Sequence, residues 1–252
     1  RSRIEQGRQL FRKHSALLRS LTQQYGIPGQ YLVAFWGLET NFGSYLGKMP
    51  TLDSLATLAC DPRRSGFFTK QLMDALKLLA REELQPSQMH GSWAGAVGHT
   101  QFMPSSYLQY AVDGDQDGRV NLWQSIPDAL ASGANFLQHL GWARNLRWGR
   151  EVSLPDEFDF SAALSVPNRS LAEWGRMGVR QANGPALREF DLPARFILPA
   201  GHTGPAFLVY QNFDAIMGWN RSEFYALSVG HLADRINGAG GLQAQPPEDQ
   251  QR

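Results

Sequence analysis

The sequence predicts an α+β protein that is mainly helical, with a small β-rich insertion late in the chain. Apolar residues recur at helical spacing through about residue 140, and glycines stand where the helices should end. Between residues 148 and 211 prolines become frequent and the helical spacing fades. An amphipathic helix is predicted again over residues 222–236, so the β-rich part interrupts a helical framework.

Each helix is predicted from an apolar face and from its end signals. The first covers residues 4–25 and ends at Gly26, and Pro28 suits the first turn of the second, over residues 29–41. Four more helices are predicted over residues 51–59, 66–84, 104–111 and 126–140. Glycine and alanine fill residues 91–98, which indicates a tight loop.

The β-rich insertion, over residues 148–211, contains one clear strand pair. Residues 195–198 and 207–210 are short apolar runs on either side of a loop with prolines and glycines, a pattern typical of a β-hairpin. Residues 1–236 are therefore predicted to form one domain that includes the insertion. The composition of residues 237–252 predicts a linker or disordered tail, which suggests a piece of a longer protein.

Composition excludes several classes of function. The 252 residues, 42% of them hydrophobic, can bury a sizeable core. A net charge of +1, from 24 basic and 23 acidic side chains, provides no field for nucleic acid. The single cysteine, Cys60, has no disulfide or zinc partner, and its apolar neighbours predict a small core residue.

Glu39 lies on the same predicted helix face as Phe35 and Trp36. A carboxyl on a buried face resists ionising, so its pKa rises and it can deliver a proton to a leaving oxygen. The alternative is a glutamate at the helix end that reaches solvent or caps a neighbour. The pattern alone favours that alternative, because most charged side chains are solvated.

Several sequence blocks stand in a fixed order along most of the chain. They are FWGLETNFG at 35–43, GSWAGAVG at 91–98, QFMPSSY at 101–107, the acidic loop from Asp113, YQNF at 210–213 and WNRSEFYAL at 219–227. In order and separation they resemble the lytic murein transglycosylase B family, over residues 17–236. The resemblance implies a lysozyme-like core, with a helical lobe and a small inserted β lobe. It also implies cleavage of the β-1,4 bond between MurNAc and GlcNAc of peptidoglycan, leaving a 1,6-anhydroMurNAc end.

The resemblance implies that Glu39 is the catalytic residue and that Ser92 hydrogen-bonds its carboxyl. Glycosidases usually need two carboxylates, but Glu39 has no obvious acidic partner in the other blocks that should line the cleft. Glu223 is better interpreted as a first-turn residue stabilised by the helix dipole. One carboxylate suffices if the substrate supplies its N-acetyl oxygen and its C6 hydroxyl. The alternative for Ser92 is a serine in a turn.

The side chains predicted to bind substrate carry groups that suit sugar hydroxyls, acetamido groups and ring faces. They are Gln101, Met103, Tyr107, Asn212, Phe213, Trp219, Asn220 and Tyr225. For Gln101 the alternative is an amide that braces its loop, and for Met103 and each aromatic residue it is core packing. His99 and Thr100 stand where the family is expected to have tyrosine and glycine, which affects contacts near Gln101.

The acidic loop begins like an EF-hand, with the D-x-D-x-D-G pattern of Asp113, Asp115, Asp117 and Gly118. Arg119 would contribute its backbone carbonyl, but Gln124 stands where an EF-hand has a bidentate glutamate. In the resembled family the loop closes on a later aspartate, which here is Asp128. The alternative for Asp128 is helix capping. The loop therefore favours structural Ca²⁺, with sodium or an empty loop as alternatives.

The resemblance implies peptidoglycan glycan strands as the partner and the periplasm of a Gram-negative bacterium, soluble or associated with the outer membrane. The balanced charge predicts no nucleic acid partner, and no organic cofactor is expected. Other cell-wall enzymes, or a wall-binding domain outside this chain, are further expected partners. Two alternatives stay open. One is a lysozyme-type hydrolase on the same fold, in which water attacks, and the other is a non-catalytic module that binds murein or calcium.

Overall fold

The computed structural model describes residues 2–244, and the chain divides into two compact units. Unit 1 is Arg1–His139 and unit 2 is Leu140–Arg252. Helices dominate the described residues, with a small antiparallel sheet in unit 2. The predicted α+β class, mainly helical and with a β-rich insertion, is confirmed.

Unit 1 consists of helices joined by loops and one short strand pair. The helices are α1 (Arg3–Lys13), α2 (Ser15–Tyr25), α3 (Gly29–Thr40), α4 (Thr51–Ala59), α5 (Ser65–Arg81), α6 (Pro104–Tyr110) and α7 (Ile126–His139). Strands β1 (Met49–Pro50) and β2 (His90–Gly91) pair antiparallel, and Met49 lies opposite Gly91. A single turn of 3₁₀ helix covers Pro86–Gln88.

The predicted first helix is wrong in one respect, because the chain leaves helical geometry at His14. Its φ of −100° and ψ of 21° separate α1 from α2. Both helices contact α3, and the His14 ring meets the Trp36 ring edge-on, with centroids 5.9 Å apart. Because the chain bends at His14, both α1 and α2 can pack against α3, although the sequence pattern predicts one continuous helix.

Helix α3 is buried around its whole circumference and not along one stripe. All seven residues from Tyr31 to Gly37 are buried, as expected of a helix that is apolar on every side. The predicted single apolar stripe is therefore corrected. The helix ends in three successive left-handed residues, Asn41, Phe42 and Gly43, with φ of 48°, 59° and 81°, and the N–H of Phe42 donates to Trp36 O over 3.1 Å.

Unit 2 contains the five-stranded sheet and four helices within its described residues. In chain order the elements are β3 (Gly149–Ser153), α8 (Phe160–Ser165), β4 (Asn168–Ser170), α9 (Leu171–Arg176), β5 (Arg180–Gln181), β6 (Pro193–Ile197), β7 (Ala206–Val209), α10 (Gln211–Trp219) and α11 (Glu223–Ile236). The strand order is β4-β6-β7-β3-β5, and every neighbouring pair is antiparallel. The predicted hairpin is confirmed as β6 and β7, with Arg195 opposite Val209.

The core of the sheet is built around Trp174 and Phe196. Their ring centroids lie 5.4 Å apart, and the indole N–H of Trp174 donates to Ala194 O over 2.9 Å. A buried tryptophan removes roughly 200 Å² from water, which favours folding by about 5 kcal/mol before the entropy cost. The indole bond avoids the penalty of a buried, unpaired donor.

Helix α11 is fixed by Trp148. A Cβ on Gly230 would lie 2.3 Å from the Trp148 ring, so only glycine lets the indole approach this closely. The indole N–H donates to Asp234 Oδ2 over 3.0 Å, and Arg147 pairs with the same oxygen. Ser222 caps the helix by accepting the N–H of Tyr225. The predicted helix over residues 222–236 is confirmed, whereas α10 was not predicted.

Two smaller predictions concern Cys60 and the tail. Cys60 is exposed at the end of α4, so its predicted core position is wrong, because the buried face of α4 is carried by residues such as Leu55. Of the predicted tail, residues 245–252 lie outside the described part, while the backbone N–H groups of Gln243 and Ala244 donate to the Glu151 carboxylate. Within residues 2–244 we find no helix with the length and apolar character needed to cross a bilayer.

Candidate active site

Glu39 lies in the last turn of α3 and is half-buried. Its neighbour Thr40 is only 1% exposed, so the boundary between core and surface passes through this turn. The predicted burial of Glu39 is thus only partial. A carboxyl in such a place is sheltered by the core and still reaches solvent, which is what a group that donates a proton to a bound molecule requires.

The end of α3 is held by the hydroxyl of Thr40. Its Oγ1 lies 3.2 Å from His99 O and 3.3 Å from Trp36 O, so one proton is shared between two carbonyls. The same oxygen accepts the N–H of Gly43 over 3.0 Å. These bonds fix the residue that directly follows Glu39, and they join the helix end to the loop that contains His99.

A second bond joins helix and loop in the interior. The indole Nε1 of Trp36 donates to Nδ1 of His99 over 3.0 Å, and both side chains are buried. Because an indole N–H can only donate, Nδ1 of His99 must carry no proton. Burial lowers the pKa of His99, which keeps the imidazole neutral near neutral pH.

Ser92 forms a tight turn with the residues that follow it. Its N–H donates to Ala96 O over 2.8 Å, and its Oγ accepts the N–H groups of Ala94 and Ala96 over 3.3 and 3.1 Å. This is the turn role that the sequence offered as the alternative. A hydroxyl that accepts two bonds keeps its own proton to donate, so the predicted bond to Glu39 stays a prediction.

Gln101 braces the same loop from its other end. Its φ is 50°, and its Nε2 donates to Gly98 O over 3.0 Å and to Leu46 O over 3.2 Å. The amide N–H₂ group of Gln101 therefore braces the loop, as the alternative prediction stated. Its Oε1 is the atom suited to accept a hydrogen bond from a substrate N–H or hydroxyl. Met103 is half-buried and directly precedes α6.

Three residues predicted to bind substrate lie in the interior. Tyr107 is 0% exposed, its hydroxyl donates to Val120 O over 2.7 Å, and burial raises its pKa. Asn212 is also 0% exposed. It accepts the N–H of Ala143 and donates to the carbonyls of Ala143 and Leu146.

Phe213 is the third of these buried residues, at 0% exposure. Its ring centroid lies 6.2 Å from that of Trp148. We correct the prediction for Tyr107, Asn212 and Phe213, because side chains closed off from solvent are parts of the core and cannot stack on a sugar.

The remaining predicted substrate contacts of unit 2 keep accessible surface. Trp219 and Tyr225 are half-buried and Asn220 is exposed, where α10 ends and α11 begins. Two aromatic residues of unit 1 that the sequence analysis did not single out, Tyr45 and Trp93, are 65% and 70% exposed. Trp93 follows Ser92 directly, but the sequence carries no signal for exposure at a single loop position.

The acidic loop gathers three carboxylates. One oxygen from each of Asp113, Asp115 and Asp117 lies within 4.8 Å of the others. The Asp113 oxygens accept the N–H groups of Asp117 and Gly118 over 3.2 and 2.8 Å, which curls the loop around its first aspartate. Because a carboxylate has about four lone-pair sites, these bonds leave room for a cation, and such an acidic triad could hold a metal ion.

Asp128 lies outside this cluster within the described residues. It is 1% exposed, and its two oxygens accept the N–H groups of Gly114 and Asn121 over 2.7 Å each. Burial raises its pKa. The N–H of Asp128 is itself capped by Ser125, whose Oγ accepts it over 3.2 Å. The structure therefore corrects Asp128 from a fourth carboxylate ligand to a brace across the loop.

The chain is similar to several lytic transglycosylases. It is 32% identical over 240 residues to membrane-bound lytic murein transglycosylase B of Escherichia coli K12. The aligned region covers 92% of this chain and 63% of that protein. Crystallised SltB3 of Pseudomonas aeruginosa, in complex with NAG-anhNAM-pentapeptide, is 45% identical, with a TM-score of 0.93 over 98% of this chain and 66% of that one. The chain thus spans somewhat less than two thirds of these relatives.

A third relative is also a lytic transglycosylase. The Escherichia coli lytic transglycosylase Slt35, crystallised in complex with calcium, is 31% identical, with a TM-score of 0.77 over 93% of this chain and 74% of that one. These structural relatives confirm the lysozyme-like fold class that the resemblance implied. The family model described as the transglycosylase SLT domain matches residues 1–234. The chain belongs to the transglycosylase SLT domain family.

Proposed function

We propose that this protein is a lytic transglycosylase that cleaves the glycan strands of peptidoglycan, with residues 1–236 as its catalytic domain. The observation that carries the proposal is the likeness to SltB3 over 98% of the chain, at 45% identity and a TM-score of 0.93. That relative was crystallised with a fragment that contains an anhydro-muramyl sugar. We therefore assign the same product class, a 1,6-anhydroMurNAc end.

Glu39 acts first as an acid and then as a base. It donates its proton to the glycosidic oxygen of the departing GlcNAc as the bond from that oxygen to C1 of MurNAc breaks. The N-acetyl oxygen of the same MurNAc stabilises the positive charge at C1. The C6 hydroxyl then attacks C1 and returns its proton to the Glu39 carboxylate. Atoms balance without water, and one carboxyl suffices.

The geometry around Glu39 supports this role. The carboxyl lies at a helix end that Thr40 and His99 hold in place, and it is half-buried. Preorganisation of this kind lets a proton be delivered in a fixed direction. Ser92 orients the carboxyl by donating its hydroxyl proton, and Gln101 accepts from the substrate through Oε1. Met103, Trp219, Asn220 and Tyr225 are further proposed substrate contacts, assigned from the sequence blocks alone.

Digestion of purified peptidoglycan, followed by mass spectrometry of the fragments, tests the reaction. We expect muropeptides with anhydro ends, each lighter by one water than the hydrolysed product. Reducing ends would instead identify a lysozyme-type hydrolase on the same fold. Absence of fragments, together with retention of the protein on peptidoglycan, would identify a non-catalytic binding module.

Glu39→Gln tests the assignment of the catalytic residue. We expect a loss of at least about 1000-fold in the rate of fragment release, because one residue performs both proton transfers. Glu83→Gln is the matched control, since Glu83 is exposed and lies in the same unit. Equal melting temperatures for both variants exclude unfolding as the cause. Activity of Glu39→Gln near that of the control would refute the role of Glu39.

We also assign Ca²⁺ to the acidic loop, as a structural ion. The three clustered carboxylates of Asp113, Asp115 and Asp117, with the backbone carbonyl of Arg119, offer the hard oxygen ligands that this ion takes. The related Slt35 was crystallised with calcium. The ion would fix the loop ahead of α7 and would take no part in the reaction.

Calorimetry of the calcium-free protein tests this assignment. We expect uptake of one Ca²⁺ and a melting temperature that rises by several degrees, since an ion that binds only the folded state stabilises it. Asp117→Asn should abolish the uptake. Mg²⁺ and Na⁺ serve as control ions, and an equal response to Na⁺ would reject a calcium site.

The substrate sets the location and the partners. Peptidoglycan lies in the periplasm of Gram-negative bacteria, so we place the protein there, either soluble or associated with the outer membrane. Other cell-wall enzymes, or a wall-binding domain outside the given sequence, are the partners that suit this setting. Fractionation of cells that express the tagged protein tests the location, and recovery in the cytoplasm would contradict it.

A further inference from the structure

We infer that His99 is a positioning residue for Glu39, joining the last turn of the catalytic helix to the loop of Ser92 and Gln101. This inference rests on the proposed function. Two bonds carry it: Trp36 Nε1 to His99 Nδ1, 3.0 Å, and Thr40 Oγ1 to His99 O, 3.2 Å.

The two bonds bracket the catalytic residue within its own helical turn. Trp36 precedes Glu39 by three residues and Thr40 follows it by one, so both lie in the turn from which the carboxyl projects. Trp36 and Thr40 are 5% and 1% exposed. Water therefore offers them little competition, and a displaced His99 would release both sides of this turn together.

The imidazole also fits against the chain reversal after the helix. A Cβ on Gly43 would lie 2.2 Å from His99 Cε1, and Gly43 has a φ of 81°. The ring thus lies directly on a backbone segment that only glycine leaves open. This contact makes the position of the ring depend on the left-handed segment that terminates α3.

Backbone hydrogen bonds fix His99 within its loop as well. The backbone N–H of His99 donates to Leu122 O over 2.8 Å, and the backbone N–H of Gln101 donates to Gly98 O over 3.1 Å. Gln101 follows His99 by only two residues, so a shift of the His99 imidazole would also displace the side-chain amide of Gln101. His99 thus helps to position both Glu39 and Gln101, and it would keep the distance between the proton donor and the substrate contact constant.

Three single variants separate the bond from the bulk of the ring. His99→Phe keeps a planar ring and removes the acceptor. His99→Asn keeps an acceptor, because the amide Oδ1 is attached to Cγ as Nδ1 is. Trp36→Phe removes the donor and leaves His99 intact, so it carries the test if His99→Phe fails to fold.

We expect the kcat for release of anhydro fragments to fall roughly 10- to 100-fold in His99→Phe and Trp36→Phe, with KM within about 3-fold of the wild type. His99→Asn should restore most of kcat. The double variant should lose no more than either single variant, because both remove the same bond. Wild-type kcat in folded His99→Phe or Trp36→Phe, or no rescue by asparagine, would overturn the inference.

A readout without turnover keeps the two proposals separate. In protein labelled with ¹³C at glutamate carboxyl carbons, Glu39→Gln identifies the resonance of Glu39. We expect this resonance and its titration midpoint to move in His99→Phe and Trp36→Phe and to stay in His99→Asn. If the wild type releases no fragments, the proposed reaction fails while this measurement still decides the role of His99. An unmoved resonance in every variant would refute that role.

Discussion

Gly114 donates its backbone N–H to Asp128 Oδ1 over 2.7 Å, which closes the start of the acidic loop onto helix α7. The other carboxylate oxygen of Asp128 accepts the N–H of Asn121, also over 2.7 Å. With an exposure of 1%, this carboxylate replaces water for two backbone groups at once. The buried Asp128 side chain therefore connects the two ends of the acidic loop to helix α7.

Asp128→Asn should destabilise the protein by about 1–3 kcal/mol, because the amide has one acceptor oxygen and its N–H₂ group would face a backbone donor. Urea denaturation measures this change. Asp117→Asn is the control, since Asp117 is exposed and its substitution should cost less than about 1 kcal/mol without calcium. Equal losses for the two variants would contradict the assignment of Asp128 as a brace.

Asn212→Ala should reduce stability without changing the affinity for glycan fragments. The amide makes three bonds to the backbone of Ala143 and Leu146, and their loss leaves buried polar groups unpaired, at about 2–4 kcal/mol in total. Asn220→Ala should do the reverse, because Asn220 is exposed. Thermal melting and titration with a muropeptide distinguish the two. Weaker binding in a stable Asn212→Ala protein would return Asn212 to the substrate site.

Gly230→Ala should destabilise unit 2. The new Cβ would lie 2.3 Å from the Trp148 ring, and overpacking of this kind costs about 1–3 kcal/mol or more. Gly66→Ala is the matched control, because Gly66 lies in α5 with nothing within 4 Å of the added carbon. That change should stabilise by about 0.5–1 kcal/mol. Denaturation curves with the same sign for both variants would be inconsistent with this packing.

Stability should fall as the pH drops below about 6.5, the ordinary pKa of histidine. Burial lowers the pKa of His14, His99 and His231 in the folded protein. Between the folded and unfolded values the unfolded chain binds more protons, so acid favours unfolding. Melting temperatures at pH 7.5 and 5.5 test this. His99→Asn should show a smaller difference, and a higher melting temperature at pH 5.5 would contradict the expected direction.

Elements whose signals are local were predicted well from the sequence. Helix α4 has the predicted bounds of residues 51–59, and α3 begins at the predicted Gly29 and ends one residue early. The β6–β7 pair was found because apolar runs and turn residues suffice to predict a hairpin. Strands β3, β4 and β5 were not predicted individually, since their partners are distant in sequence and local preferences are weak.

The sequence motifs predicted some residues of the candidate site and some residues of the core without distinguishing them. Motif order selected Glu39, Ser92 and Gln101, which lie on α3 and on the loop that His99 joins to it. The same motifs also selected Tyr107 and Phe213, which are core residues with 0% exposure. A motif records residues that occur together, whether they hold a ligand or each other. Only the packed structure separates these two reasons.

Strand β7 lies in the middle of the sheet, between β6 and β3. It is also the last of the five strands to leave the ribosome. The earlier strands can assemble only as two separate ladders, β4 with β6 and β3 with β5, until residues 206–209 emerge and join them. Nascent unit 2 therefore carries two more open strand edges than the finished sheet, one on β6 and one on β3, and edges of this kind attract other chains. Premature termination before Ala206 would leave a fragment with both edges exposed, a natural target for chaperones and proteases.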